Sequence, residues 1–259
     1  MWISNPIADP EKNVELTNAV DGLFVSNAQQ YLDSIFIQGN GLQGWQSQFS
    51  PGTLNRPRWY YGFNELWGVF LGGGTENPVQ GNALMQGYAS TEILRQSFAV
   101  NSYLTAICAD IMATGLWSTL ASRPRKLFCG HSLGGAVSQV LALFAQALNT
   151  AAPQENITFG SPKAGVTVFG DALSGTSIVR WMNDDDPVPL VPPTVAQCPL
   201  LALVTDIGLL LSYNSMRHTN GGLQIDSSGV TSTQILPTAA AISPTTNLGN
   251  WVASLVSGN

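Results

Sequence analysis

Apolar residues along the chain fall in short runs separated by polar and Gly- or Pro-rich stretches, and the sharpest run is Leu127-Phe128-Cys129. It leads into Gly130-His131-Ser132-Leu133-Gly134-Gly135, after which Val137, Val140, Leu141, Phe144 and Leu148 recur at helical spacing. This predicts a buried strand, a tight turn and a helix. Upstream, residues 1–22 are polar with two prolines and read as a surface arm leading into a helix around Leu23 to Phe36, which Gly39-Asn40-Gly41 breaks. Trp59 to Leu71, with Asn64-Glu65 in its midst, predicts two strands around a turn. Residues 76–90 read as a polar loop, and Ile93, Val100, Leu104, Ile107 and Ile111 predict a helix to about Ala113 that covers one face of the sheet. Beyond Pro153, Asn156-Ile157-Thr158-Phe159 and Ser177-Ile178-Val179-Arg180-Trp181-Met182 predict strands on either side of the turn Gly160–Gly165. Strands alternating with helices argue for an α/β fold with a parallel sheet, right-handed crossovers and ligands at the strands' carboxyl ends.

Composition narrows the function classes. A chain of 259 residues has the length of one α/β domain, 1–259, with a substantial core. Charged residues are only 10%, against 44% hydrophobic, and the net charge of −6 leaves no basic footprint for nucleic acid or an anionic membrane. The longest basic run, Arg123-Pro124-Arg125-Lys126, reads as a solvated loop before the central strand. Cys108, Cys129 and Cys198 are too few and too irregular for a disulfide framework or a zinc site. Cys129 is expected to pack in the central strand, and one disulfide beside a free thiol stays open. Met1-Trp2-Ile3-Ser4-Asn5-Pro6 lacks the basic and apolar regions of a secretory signal, and no run approaches the roughly 20 apolar residues that span a bilayer. Low charge and abundant Ser, Thr, Asn and Gln suit an extracellular protein.

The chemistry starts from the turn. Strand, Gly-x-Ser-x-Gly and helix fit a nucleophile elbow, with Gly130 and Gly134 small because the turn crowds its neighbours, and Ser132 at the N-terminus of the helix. The alternative is an ordinary strand-to-helix turn in which Ser132 is only a cap. Serine needs a base to take its proton, and the base needs an orienting carboxylate. The chain has two histidines. His131 adjoins the nucleophile and its side chain diverges from it, so the base falls by elimination to His218, in the turn-rich Ser215–Gly222. The carboxylate is expected after a strand between serine and histidine, where Asn183-Asp184-Asp185-Asp186-Pro187 offers three aspartates; Asp206 and Asp226 are weaker candidates. Gly72-Gly73-Gly74-Thr75 reads either as a loop presenting N–H groups to an oxyanion or as a flexible turn.

Together Gly130-His131-Ser132-Leu133-Gly134-Gly135, Thr158-Phe159-Gly160-Ser161-Pro162-Lys163-Ala164-Gly165 and Asn183–Pro193, which contains Asp186-Pro187-Val188-Pro189, resemble the class 3, fungal-type, triacylglycerol lipase family. The resemblance spans roughly residues 66–220 and implies an α/β-hydrolase fold, a mostly parallel sheet flanked by helices, and ester hydrolysis without metal or organic cofactor. It selects Asp186 over Asp184 and Asp185, because the family's aspartate stands immediately before the Pro-Val-Pro type segment. It also implies Thr75 and Leu133 as backbone oxyanion donors. Phe70-Leu71-Gly72-Gly73-Gly74-Thr75 is longer than the family's Phe-Arg-Gly-Thr/Ser motif and lacks its arginine, so Gly73 and Gly74 stay open as alternatives to Thr75.

On this reading Ser132, Asp186 and His218 cleave an ester through an acyl-enzyme, on a lipid or ester substrate and at a lipid–water interface. Glu76–Asn82 is too short and polar for the family's lid helix. The apolar stretch 199–213 is either a core helix or a hydrophobic cap. Rival functions are a short-chain carboxylesterase, a phospholipase A1, or a non-catalytic lipid-binding module on the same fold. Acyl-chain preference and oligomeric state are not encoded in any motif found.

Overall fold

The computed structural model describes residues 10–23, 26–85, 88–93, 96–148, 154–166, 172–173, 176–183, 186, 188–192, 216–217, 222–225 and 231–233. In chain order the helices are α1 (Pro10–Asp21), α2 (Ala28–Ser34, continued by a π-helical turn at Ile35–Gly39), α3 (Pro78–Ala83), α4 (Ser102–Met112), α5 (Trp117–Ala121) and α6 (Leu133–Leu148). The strands that form the larger sheet are β1 (Gln46–Ser50), β2 (Trp59–Phe63), β3 (Trp67–Gly72), β6 (Arg125–His131), β7 (Gln154–Phe159), β9 (Ser177–Asn183), β11 (Gly222–Ile225) and β12 (Thr231–Thr233). They lie side by side in that order, with β3, β6, β7, β9 and β11 mutually parallel and antiparallel partners at both edges. A smaller antiparallel sheet joins β4 (Tyr88–Ile93), β5 (Gln96–Asn101), β8 (Gly165–Val166) and β10 (Met216–Arg217).

The period of two in the central strands divides the apolar residues between the two faces. Trp67, Val69 and Leu71 of β3 and Leu127 and Cys129 of β6 pack with Leu16, Ala19 and Val20 of α1 and Leu32 and Phe36 of the next helical stretch. The intervening Phe70 and Phe128 pack on the other face with Leu104, Ile107 and Ile111 of α4, Trp117 and Leu120 of α5, and Val137, Val140 and Leu141 of α6. Each such fully buried large side chain contributes roughly 1.5–3 kcal/mol over its exposed state. Both faces of β3 and β6 are therefore covered, the arrangement that near-continuous apolar strands require.

The expected strands at 59–71, 127–129, 156–159 and 177–182 are present, as is the helix after the elbow. Four expectations need correction. The arm before residue 22 contains a helix, α1, which buries a narrow apolar stripe of Leu16, Ala19 and Val20 together with Asn13 and Thr17. Gly22, at φ +72°, ends it, so the helix expected from Leu23 starts instead at Ala28. The loop expected at 76–90 contains α3, because Pro78 stands at its first turn and Asn77 caps it by accepting the Gln80 N–H at 3.1 Å. The helix expected from Ile93 is a β4–β5 hairpin followed by α4. Asn101 ends the strand and starts the helix by accepting the N–H groups of Tyr103 and Leu104 at 3.0 and 3.3 Å.

The basic run is the fourth. Arg125 and Lys126 begin β6, and Lys126 is only 1% exposed, its Nζ donating to the Arg123 carbonyl at 3.0 Å. Burial pushes the Lys126 pKa down to about 8. Strand β1 and the smaller sheet had no counterpart in the sequence reading.

Candidate active site

Where β6 meets α6, the chain reverses within one residue. Ser132 has φ +51°, the one described non-glycine residue in the left-handed region, a conformation that costs about 1–3 kcal/mol and persists only where its surroundings impose it. Its N–H donates to the Phe159 carbonyl at 2.8 Å, tying the turn to the end of β7. Its own carbonyl accepts the N–H groups of Gly135 and Ala136 at 2.9 and 3.4 Å, which opens α6. The turn is this tight only because of the glycines beside it. A Cβ on Gly130 would stand 2.2 Å from the Gly134 carbonyl oxygen, and one on Gly134 would stand 2.2 Å from the carbonyl carbon of Gly72 at the end of β3. Neither the Ser132 hydroxyl nor the Leu133 N–H, at the first turn of α6, has a hydrogen-bond partner among the described residues. Such N–H groups at a helix start carry partial positive charge and favour an anion. Three residues back, Cys129 is fully buried and burial pushes its thiol pKa up, so it is inert packing.

The glycine-rich exit of β3 runs beside the elbow: a Cβ on Gly74 would stand 3.5 Å from the Ser132 Cβ. Its N–H groups are almost all engaged. Gly73 donates to the Arg58 carbonyl at 3.0 Å, Gly74 to Asp21 Oδ1 at 2.7 Å, and Glu76 to Gln80 Oε1 at 3.0 Å. Thr75 is exposed, and its N–H has no partner among the described residues. The Arg58 guanidinium, 3.0 Å from Glu76 Oε1, anchors the far side of the loop.

Across the sheet from Gly74, the ends of β7 and β9 meet. Gly160, at φ +56°, donates to the Trp181 carbonyl at 2.9 Å, and a Cβ there would stand 2.6 Å from Asp186 Oδ2. Asp186 Oδ1 accepts the Val188 N–H at 2.9 Å, starting a single 3-10 turn at Val188–Leu190. The expected lipase-like motifs at 158–165 and 183–193 thus pack on each other, and Lys163 adds an N–H to the Val191 carbonyl at 2.8 Å and its Nζ to the Pro192 carbonyl at 2.9 Å.

Of the expected site residues, Ser132, Leu133, Thr75 and Asp186 sit past the carboxyl ends of the parallel strands β3, β6 and β9, with β7 between the last two. His218 lies outside the described residues, as do Asp184, Asp185, Asp206, Asp226 and the stretch 199–213. β10 stops one residue short of His218, and its Arg217 pairs with Gly165 in β8, five positions beyond Gly160.

One residue that sequence reasoning passed over stands inside this constellation. Asp21, the last residue of α1, places Oδ2 3.3 Å from His131 Nδ1 and Oδ1 on Gly74. The faint signal was its position, an acid at a helix C-terminus where the macrodipole disfavours negative charge. Among the described residues no three His, Cys, Asp or Glu side chains come together as a metal-binding group, and no helix is long and apolar enough to cross a membrane.

Known proteins share this fold. The family model for Lipase (class 3) matches residues 71–196. Among solved structures, the Rhizomucor miehei triacylglyceride lipase is similar at 18% identity and a TM-score of 0.54, over 93% of each chain. A triacylglycerol lipase whose catalytic centre is described as a serine protease triad is similar at 14% identity and a TM-score of 0.56, over 93% of this chain and 89% of that one. A fungal lipase–inhibitor complex, presented as a model for interfacial activation, is similar at 17% identity and a TM-score of 0.55, over 90% and 92%. At such identities the likeness is one of fold. No curated sequence matches.

Proposed function

We propose that the chain, whose residues 71–196 match the family model for Lipase (class 3), hydrolyses carboxylic esters of lipids, with Ser132 as nucleophile, His218 as base and Asp186 as its orienting carboxylate. One observation carries the reading: Ser132 is held at φ +51° next to the Leu133 N–H, which has no partner among the described residues, and a Cβ on Gly74 of the adjoining glycine-rich loop would stand 3.5 Å from its own Cβ. Strain at a serine is a cost that folding alone does not explain.

The Ser132 hydroxyl gives its proton to His218 and its oxygen attacks the ester carbonyl. Leu133 N–H and Thr75 N–H receive the oxyanion; losing one such donor typically costs about 10²- to 10³-fold in rate. Engagement of the Gly73, Gly74 and Glu76 N–H groups supports Thr75 as the first donor. The tetrahedral intermediate collapses, His218 protonates the leaving alcohol, and water, deprotonated by the same histidine, releases the acid from Ser132. Asp186 holds the histidine tautomer and balances the imidazolium.

A lipid surface as the place of work is supported by two exposed apolar side chains. Leu54, 62% exposed, and Val79, 43% exposed, lie on segments that Gln80 joins through the Thr53 and Arg56 carbonyls, while Gln80 Oε1 accepts the Glu76 N–H that follows Thr75. The similar fungal lipase is presented as a case of interfacial activation, and we place this chain at such an interface outside the cell.

The deciding experiment compares wild type and Ser132→Ala on p-nitrophenyl esters of rising chain length and on emulsified triolein. Turnover that reaches triolein and falls by about 10⁴-fold or more in the variant is expected of a lipase. Activity confined to short esters makes it a carboxylesterase. No serine-dependent turnover on any ester leaves a binding module and removes the reading.

A further inference from the structure

The carboxylate of Asp21 sits in a nest that nothing in helix stability explains. It ends α1, where its charge opposes the dipole, and it is only 12% exposed. Its two oxygens face two different parts of the active site: Oδ1 accepts the Gly74 N–H at 2.7 Å, while Oδ2 stands 3.3 Å from Nδ1 of His131, the residue before the nucleophile. The nest is shaped for it. A Cβ on Gly73 would stand 2.4 Å from Oδ1, so only glycine admits the carboxylate there. The Asp21 backbone is pinned as well, its carbonyl accepting from Arg58 Nη1 at 2.8 Å, and the Arg58 carbonyl in turn holds Gly73.

We propose that Asp21 is a positioning residue for the oxyanion loop: by binding Gly74 N–H and the His131 ring together, it fixes the distance between the Thr75 N–H and the Ser132 oxygen. The proposal rests on the ester-hydrolase reading. Its physical basis is the free peptide rotation next to glycine. Gly72 is held in β3 and Gly73 by the Arg58 carbonyl, but Gly74 has no side chain to fix it, so without a bound carboxylate its peptide rotates and takes the Thr75 amide with it. Phe70–Thr75 carries no arginine, and the side chain that holds the loop is a carboxylate delivered from α1. The interaction strengthens the transition state and leaves substrate binding alone, because an oxyanion exists only after attack.

The test uses three variants of the full chain. Asp21→Asn keeps an oxygen acceptor for Gly74 N–H, Asp21→Leu keeps the shape without the acceptor, and Asp21→Ala removes both. Each is assayed for kcat and KM on p-nitrophenyl butyrate and for inhibition by butylboronic acid, whose tetrahedral serine adduct places an oxygen where the oxyanion forms, with near-ultraviolet circular dichroism as the check of fold. The Asn variant is expected within about threefold of wild type. The Leu and Ala variants are expected to lose about 10²-fold in kcat, with KM within about twofold and boronic acid binding weakened in parallel with kcat/KM. Wild-type kcat in the acceptor-free variants overturns the proposal, as does a loss confined to KM, an Asn variant as damaged as Leu, or loss of fold in both acceptor-free variants. Labelling of Ser132 in the wild type by a p-nitrophenyl phosphonate separates the two readings: an unlabelled wild type removes the hydrolase assignment itself, and a labelled one leaves any failure with Asp21.

Discussion

The carboxylate of Asp186 rests on the α-carbon of Gly160, so close that a methyl group on Gly160 would stand 2.6 Å from Oδ2. This contact joins the loop after β7 to the residue that follows β9, and it leaves no room for any side chain at position 160.

Gly160→Ala is accordingly expected to move Asp186 as well as to strain the backbone. The left-handed φ of +56° costs about 1–3 kcal/mol for alanine, and the displaced carboxylate lowers kcat/KM by about tenfold or more. Gly41→Ala is the control, since Gly41 shares a positive φ of +67° but a Cβ there meets nothing within 4 Å. Urea melts of both, with ester turnover alongside, check this: Gly41→Ala loses stability and keeps its rate.

At the elbow, stability and activity are expected to part. Ser132→Gly and Ser132→Ala are both expected to abolish turnover, yet the glycine variant is expected to be more stable than the alanine variant by about 1–2 kcal/mol, because glycine occupies φ +51° without penalty. Equal unfolding midpoints for the two would show that the turn is not strained.

Gly134→Ala is expected to unfold the protein or destabilise it by about 3 kcal/mol or more, since the obstacle 2.2 Å away is the Gly72 backbone and cannot rotate aside. By contrast Gly81→Ala, inside α3 and 3.8 Å from the Thr75 methyl, is expected to be neutral or to gain about 0.5–1 kcal/mol. Thermal melts distinguish a packing effect from a general cost of adding methyl groups.

Lys126 predicts a pH dependence. Its folded pKa of about 8 is below the ordinary 10.5, so between those values the unfolded chain binds more protons and stability rises with pH. Below about pH 8 the charged, buried ammonium destabilises the fold by its full amount. Lys126→Met is therefore expected to raise Tm near pH 7, with a gain that shrinks as the pH approaches 10.5. A gain of constant size across that window points to something other than charge burial.

The elbow was legible in the sequence because its demands are local. A buried strand, small residues around a serine and an apolar stripe at helical spacing occupy consecutive positions, and β6, Ser132 and α6 follow. The 160–165 and 183–193 segments were legible as motifs, but not the contact of Gly160 with Asp186, which depends on the pairing of β7 with β9. Asp21 was hidden for the same reason in stronger form. Its partners lie 53 and 110 residues away, and the stripe that docks α1, Leu16, Ala19 and Val20, is too short to separate from a polar arm. Ile93 and Val100 misled because residues seven apart suit a helix and are equally compatible with two strands of a hairpin; Asn101, with its cap, marked the true helix start.

The contacts among Gly72, Gly130 and Gly134 set a mechanical tolerance for the catalyst. Where two segments are separated by side chains, their spacing drifts as rotamers exchange; here main chain lies directly on main chain, with no intervening part to wear or slip. Ser132 and the strand end that carries the Gly73–Thr75 loop therefore share one datum. Substitutions elsewhere in the sheet can alter how firmly the whole assembly stands while leaving that clearance unchanged.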